Sequence, residues 1–314
     1  INGYSPTTLL IAAEALQGLF SNTPYTPPPL ILEYNKDTNI PNYTLADWNE
    51  FFHLGGMDYY GIPFTSVTID GANVLLRGGK DIKLREALYQ DSGLIVSVTD
   101  NAYCVTSAET QAFGGCYNLA NVFLPLLKSA ATSCFINCTS VTSFSLPLLQ
   151  IAGNGCFKGC TSATSFNLPL LQSAEDNCFI ACTSATTFNL PLLQNAAGKC
   201  FGDCSSAASF NFPSLQIAGE QCFQNCSSAT TFNLPLAQQI GNQCFKSCTS
   251  ATLFNLPSVI NLGETVGDDS VFNGIIGNTI SLTILPTLMT CNAGEPDGDI
   301  QYLQANNTVM ITLV

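Results

Sequence analysis

Charge is scarce in this chain of 314 residues: only 10% are Asp, Glu, Lys or Arg, well under the usual quarter. The 9 Lys and Arg are outnumbered by 22 Asp and Glu, which leaves a formal net charge of -13. A surface that grips nucleic-acid phosphates needs clustered bases, so this balance excludes nucleic acid as the partner. Histidine occurs once, as His53. With no second histidine and no nucleophile motif beside it, His53 is expected to pack or to face solvent rather than to catalyse. The absence of histidine near the cysteines also argues against zinc, and neither a metal nor a cofactor is expected. No uninterrupted apolar run is long enough to span a bilayer. The opening INGYSPTTLL lacks a basic region and a cleavage site, so no signal peptide is expected. Since 46% of the residues are hydrophobic and so few are charged, the exposed surface must be built largely from Ser, Thr, Asn and Gln.

What the chain does contain is repetition. The pattern C-F-x-x-C-[TS]-S-[AV]-x-x-F-x-[LF]-P recurs at Cys134, Cys156, Cys178, Cys200, Cys222 and Cys244, each 22 residues after the last. A second cysteine column runs through Cys138, Cys160, Cys182, Cys204, Cys226 and Cys248. A further copy lies upstream, with Cys116 and Phe123-Leu124-Pro125 in place and Ala112-Phe113 standing for Cys-Phe. A fixed period of this length implies a solenoid in which each coil rests on its neighbours and the ends need caps.

Within one copy, Ser165-Phe166-Asn167-Leu168 alternates polar and apolar, as a short half-buried strand does. Phe166 and Leu168 should point inward, Ser165 and Asn167 outward, and Pro169 should end the strand. Leu170, Leu171 and Ala174 continue the apolar lining. Cys156-Phe157 and Cys160 suit a tight helical or 3₁₀ turn on the far side.

The flanks read differently. Ser5 and Pro6 open an apolar helix over 5–20, and 21–43 form an extended connector with one short strand at 30–33. Residues 44–53 make a second helix with Thr44 as its N-cap. Residues 63–99 are β-rich, with a hairpin in which Val67-Thr68-Ile69 and Val74-Leu75-Leu76 flank Asp70-Gly71-Ala72-Asn73, then strands at 82–84 and 94–98. Downstream the period slips, because Phe272 lies 27 residues after Phe245. Thr283-Ile284-Leu285-Pro286 then echoes the Phe-Asn-Leu-Pro strand, and the final residues should form a closing strand. Asp297-Gly298-Asp299 resembles part of a calcium loop but lacks the other ligand positions. The sequons at Asn137, Asn225 and Asn306 are formal matches, the first two with a cysteine expected to be buried in the middle position. The organisation expected is therefore a helix and arm for attachment or oligomerisation (1–43), a helix plus β-rich N-terminal cap (44–111), a solenoid of seven repeats (112–265), and an irregular repeat with a β C-terminal cap (266–314).

The 15 cysteines are an odd number, and Cys104, Cys116 and Cys291 lack partners in register. A C-x₃-C pair could bridge, but buried free thiols behave as small hydrophobes and fit repeat positions. Free thiols also fit assembly in a reducing compartment.

The copy at 234–248, LPLAQQIGNQCFKSC, carries Ile240-Gly241 and Phe245 to Cys248. In this it resembles the BspA-like (Treponema pallidum-type) leucine-rich repeat, whose pattern runs roughly Leu-x-x-Ile-x-Leu-Pro, then Ile-Gly-x-x-Ala-Phe-x-x-Cys. Here Cys replaces the Ala before Phe, and Phe fills a strand position often held by Ile. The resemblance covers about half of the chain. It implies an α+β repeat fold, a leucine-rich-repeat solenoid, with the second cysteine commonly unpaired. The flanking pieces TLADWNEFF and GEPDGDIQYLQANNTVMITLV are similar to end segments of repeat proteins encoded by phages of Bacteroidota.

No catalytic constellation appears. The acids of the repeats (Glu175, Asp176, Asp203, Glu220, Glu264) do not align, and no nucleophile–base pair is present. The outward strand positions form two polar columns, one containing Ser165, Thr187, Ser209 and Thr231, the other Asn167, Asn189, Asn211 and Asn233. They serve either as coil-to-coil ladders or as a binding face. The variable positions between the cysteines, among them Lys158, Asp203, Gln224 and Lys246, could carry specificity. The reading is a non-catalytic surface protein of a virion that binds a host receptor or glycan, joins other virion or surface proteins through residues 1–43, and forms a homo-oligomer. The alternative is an exported BspA-like adhesin that binds host proteins or other cells.

Overall fold

The computed structural model describes residues 105–263, 270–292 and 294–314, together with 65–67, 73–76, 82–84, 90–91 and 95–100. The helices expected at 5–20 and 44–53, the arm, His53, Cys104 and the hairpin turn lie outside the described residues.

Each coil has three hydrogen-bonded sides around one core. The front side is a three-residue strand: Ser143–Ser145, Ser165–Asn167, Thr187–Asn189, Ser209–Asn211, Thr231–Asn233 and Leu253–Asn255. The period of two puts Phe144, Phe166, Phe210, Phe232 and Phe254 inside and their neighbours outside, as the alternation requires. After the Pro-Leu corner comes a two-residue strand, for instance Ile151–Ala152, Ser173–Ala174 or Asn195–Ala196. These short strands stack in parallel into one nine-stranded sheet running from Ile82–Leu84 to Asn261–Leu262. Sequence reading missed them, because two residues are too few to show a period.

The third side carries the cysteines in tight turns closed by i to i−3 hydrogen bonds, as a 3₁₀ turn would be, but they do not run on into a helix. The N–H groups of Gly155, Phe157 and Gly159 donate to the carbonyls of Asp176, Cys178 and Ile180 in the next coil, at 2.8, 2.8 and 2.9 Å. The alternate N–H groups of Cys156, Lys158 and Cys160 donate back within the coil to Gly153, Gly155 and Phe157. Two residues per coil take left-handed backbone to make this possible, one before each cysteine. They are Ser133 and Asn137, Asn177 and Ala181, Lys199 and Asp203, Gln221 and Asn225, and Gln243 and Ser247, at φ of 54–60°, with Gly155 and Gly159 in the same places. A continuous helix would turn these N–H groups along its own axis; the reversals aim every second one at the next coil instead.

This geometry makes a stability prediction. Ala181 sits at φ 59°, where a Cβ is disfavoured. Ala181→Gly should stabilise the fold by roughly 0.5–1 kcal/mol in chemical denaturation, less the extra freedom glycine has in the unfolded chain. Gly159→Ala should do the opposite, because its Cβ would run into the Asn137 side chain. Equal stability in both variants would show that the left-handed positions carry no strain.

The core is made of two interleaved phenylalanine columns. Phe113, Phe135, Phe157, Phe179, Phe201, Phe223, Phe245 and Phe272 stack face to face, with centroids 5.2–5.7 Å apart. Phe144, Phe166, Phe188, Phe210, Phe232 and Phe254 form the second stack at 5.2–5.8 Å. Between the columns the rings meet edge-on or tilted, as in Phe144–Phe157 at 4.8 Å. Offset stacks and edge contacts of this kind add about 0.5–1.5 kcal/mol per pair beyond area burial.

Coil geometry begins upstream of the strict repeats, because Asn73–Leu76, Ser97–Asp100 and Asn121–Phe123 pair in parallel. Ahead of them Thr65–Val67 pairs antiparallel with Asn73–Leu76, so the first strand of the expected pair lies two residues earlier than the Val67-Thr68-Ile69 read from the sequence. At the other end Phe272 does rejoin the column, 5.7 Å from Phe245. The echo strand is displaced by one residue from the sequence expectation. Thr279–Ile284 pairs so that Leu282 aligns with Phe254, and Thr283 lies beside Asn255. Leu282 and Ile284 are the apolar residues that fit the buried row, so burial overrides the position of Pro286, which instead opens a 3₁₀ turn over Pro286–Met289.

A helix, Gly298–Asn306, precedes the closing strand Thr308–Leu313, which lies parallel to Thr279–Ile284. The calcium-like fragment has structural work here. The Asp297 side chain accepts the Asp299 N–H at the helix start, and the buried Asp299 accepts the Val271 N–H at 2.7 Å. Burial raises the Asp299 carboxyl to about 6, against the opposing pull of the Ser270 and Val271 hydrogen bonds. Between about pH 4 and pH 6 the folded chain therefore holds a proton that the unfolded chain has released. This contribution to stability is complete below about pH 4 and is lost as pH rises through about 6. Asp299→Asn should flatten that dependence by roughly 1–2 kcal/mol after allowance for solvent screening, measured as opening of the C-terminal segment by hydrogen exchange between pH 4 and 7. An unchanged slope would assign the effect to other carboxylates.

Candidate binding face

The front strands position the outward residues in straight columns one coil apart, about 4.8 Å. Asn189 donates its amide to Asn167, Asn233 to Asn211, and Asn255 to Asn233, each at 2.6 Å. Asn167 continues this ladder to the Ser145 hydroxyl at 3.5 Å. The Asn column is thus a structural brace that still shows one amide N–H and carbonyl lone pairs to solvent. One step outside the strand, Thr164, Thr186, Thr230 and Thr252 donate their hydroxyls to the backbone carbonyl of the preceding coil at 3.1–3.2 Å.

The predicted column of Ser165, Thr187, Ser209 and Thr231 behaves differently. These hydroxyls make no hydrogen bond among the described residues; Thr187 and Ser209 are exposed, and Ser165 and Thr231 half-exposed. A neighbouring column, Ser162, Ser184, Ser206 and Ser228, is likewise without a protein partner among the described residues. Both columns therefore offer free donors and acceptors.

The face has a seam. The front sheet is not hydrogen-bonded between Asn121–Phe123 and Ser143–Ser145, and it breaks again between Thr187–Asn189 and Ser209–Asn211, while the nine-stranded sheet runs on unbroken. The amide ladder has no rung between Asn189 and Asn211. Across this seam Phe188 and Phe210 are tilted by 25°, against 2° for Phe166 and Phe188. The local sequence departs from the repeat at this point: Phe212 fills the inward position that Leu168 and Leu190 occupy elsewhere, and its ring packs 5.1 Å from Phe201.

The positions between the cysteines fall on the opposite side, across the phenylalanine columns. Lys158 is exposed, two coils from Asp203. Asp203 accepts the Asn225 amide at 2.8 Å, and the Lys246 ammonium reaches the Gln243 carbonyl at 3.4 Å. Gln224 has its Oε1 buried without a partner among the described residues. The structure thus divides the candidate residues into two separate surfaces, and only the front one repeats without a charge.

Within the described coils the thiols are enclosed. Fourteen cysteines lie among the described residues and all are free; thirteen are buried and Cys291 is exposed. The second thiol of each coil donates to the Phe carbonyl of the preceding coil, as Cys160 does to Phe135 at 3.2 Å and Cys226 to Phe201 at 3.2 Å. Burial, reinforced by neighbouring thiols, pushes Cys138, Cys156, Cys160, Cys204 and Cys226 well above the ordinary thiol range. Such thiols are poor nucleophiles. Cys138 and Cys226 are the middle residues of two sequons, and both are fully enclosed.

These coils, with three ladders and one repeating face, define a leucine-rich-repeat solenoid. The family model of the BspA-type leucine-rich repeat region matches residues 86–198 and 172–284, in six copies, and the chain belongs to that family. Similar solved structures include the T. pallidum leucine-rich repeat protein, 19% identical over 46% of this chain and 86% of that one, with a TM-score of 0.32. A leucine-rich cell surface protein from Faecalibacterium prausnitzii is 14% identical over 78% of this chain and 95% of its own, with a TM-score of 0.32. A leucine-rich repeat protein from Bacteroides ovatus is 16% identical over 75% and 84%, with a TM-score of 0.33. No curated protein matches the chain. Leucine-rich-repeat proteins are in general interaction scaffolds rather than enzymes, and this fold is consistent with that role. No helix among the described residues is long and apolar enough to cross a membrane.

Proposed function

We propose that the protein is a non-catalytic attachment protein of a virion surface, whose front face binds a host receptor or glycan. The observation that carries the binding role is the front face itself: six successive coils present hydroxyls and amides with no charged residue from 139 to 145 or at the equivalent positions. The thirteen buried free thiols support production in a reducing compartment, as for a particle assembled inside a cell. Residues 1–43 are the proposed attachment and oligomerisation element. Membership of the BspA-type family favours a second reading, an exported adhesin displayed on a bacterial surface.

An antibody against the solenoid separates the two. Labelling of purified particles, lost on deletion of residues 1–43 while the repeats stay folded, is the expected result. Labelling confined to the outer surface of cells would replace the virion reading with the adhesin.

A further inference from the structure

We propose that the front face is a binding surface for a linear, uncharged polysaccharide, with Tyr117 and Phe123 as stacking platforms at its N-terminal border. The proposal rests on the attachment reading above and names the class of ligand.

Three observations carry it. The solenoid keeps its rings inside: Phe135, Phe157, Phe179, Phe201 and Phe223 are fully buried. Tyr117 and Phe123 break that rule, with exposures of 49% and 44%. Both head polar columns of the front side. Tyr117 holds the place that Thr139 holds one coil later, where the Thr139 hydroxyl lies 3.4 Å from the Tyr117 carbonyl. Phe123 ends its front strand, Asn121–Phe123, as Ser145 and Asn167 end theirs. Two half-exposed rings therefore stand one coil ahead of the lattice of hydroxyls and amides, across the break between Asn121–Phe123 and Ser143–Ser145.

The hydrogen-bond inventory is the second observation. The Thr164 and Thr186 hydroxyls are committed to backbone, and the Asn amides to one another. The Ser162 and Ser165 columns are uncommitted among the described residues. A sugar ring has an apolar C–H face that stacks on an aromatic ring, and a rim of hydroxyls that exchanges hydrogen bonds with serine and amide groups. The face supplies both kinds of partner.

The third observation is the periodicity. A partner with a unique surface gains nothing from a face that repeats. A polymer gains a new contact at each coil, and these contacts add through effective concentration. The coil spacing of about 4.8 Å is of the same order as one pyranose unit along an extended glycan. The lack of charge selects against anionic polymers, which need Lys and Arg. Ice also repeats, but it gives exposed aromatic rings no role.

The full chain should be run in affinity electrophoresis through gels containing neutral polysaccharides (an α-glucan, a β-glucan, a mannan, a galactan), with alginate as the charged control. Retardation by at least one neutral polymer, unchanged between low and high salt, is expected. The double variant Tyr117→Ala, Phe123→Ala should weaken it about tenfold or more, and Ser184→Lys should weaken it while leaving the melting transition in place. If cells are still bound but no neutral polymer retards the chain, the attachment reading stands and the polysaccharide assignment falls. If binding survives loss of both rings, or thermal hysteresis appears without polymer binding, the assignment also falls. Loss of both cell and polymer binding overturns both readings.

Discussion

Phe201→Ala is expected to destabilise the protein by about 3–5 kcal/mol. Phe201 stacks on Phe179 at 5.2 Å and on Phe223 at 5.4 Å. It is crossed by Phe188 at 5.1 Å and Phe210 at 5.6 Å, and Phe212 stacks on it at 5.1 Å with the rings inclined by 30°. Truncation removes five aromatic contacts at once and leaves a void whose walls are held by the ladders on three sides, so it closes poorly. It also weakens coupling between the two halves of the solenoid, next to the seam where the front sheet is already interrupted. Phe272→Ala, at the end of the same column, loses only Phe245 and Phe254 and should cost about half as much. Urea denaturation followed by far-UV circular dichroism measures both. A Phe201→Ala variant within about 1 kcal/mol of the parent would mean that the columns do not hold the coils together.

Gly241→Ala is the second large effect. A Cβ there would lie 2.5 Å from the Glu220 nitrogen and 2.6 Å from the Gly219 carbonyl carbon. Both are backbone atoms of the preceding coil, and the Gly241 N–H is bonded to the Ala218 carbonyl at 2.8 Å. Neither side can yield without parting the two coils, so the cost should reach about 2–3 kcal/mol. Gly198 is the control, because its nearest neighbour is the Asp176 side chain at 3.0 Å. Gly198→Ala should cost under about 1 kcal/mol, since a side chain can move. Equal losses at the two sites in thermal melts would show that close backbone approach does not set the coil spacing.

How far the sequence discloses this molecule depends on which interaction decides each element. The inward and outward residues of Ser165–Asn167 follow from alternation, because burial in a strand has a period of two. The coil stacking follows from the 22-residue period. The cysteine side was harder to read. Its left-handed positions are signalled only when the repeats are aligned: Asn137, Gly159, Asp203 and Asn225 share one offset, and Asn, Asp and Gly tolerate that backbone. The helix Gly298–Asn306 had a signal in its Asp297 cap, but Gly298 and the weak apolar pattern hid it. The last front strand slipped by one residue because the insertion before it removed the register on which the Thr283-Ile284-Leu285-Pro286 echo depends. At the front face the columns were legible, since Ser165 and Asn167 had to point outward. Which hydroxyls are free was not, because a threonine or asparagine finds its partner in the next coil. The roles of Tyr117 and Phe123 were hidden too, as both sit in the atypical first copy.

Intact-mass spectrometry with a thiol-alkylating reagent, before and after denaturation, tests the central claim that the solenoid is built on enclosed, unpaired thiols. In the native protein none of the thirteen buried solenoid cysteines should be alkylated, whereas Cys291 should be. Their protection should exceed about 10³-fold, because reaction needs opening of several kcal/mol. After denaturation all thirteen should take up the reagent, with no prior reduction. Uptake that appears only after reduction would mean disulfides in the folded chain, and would contradict both the packing of the columns and the reducing compartment inferred from them.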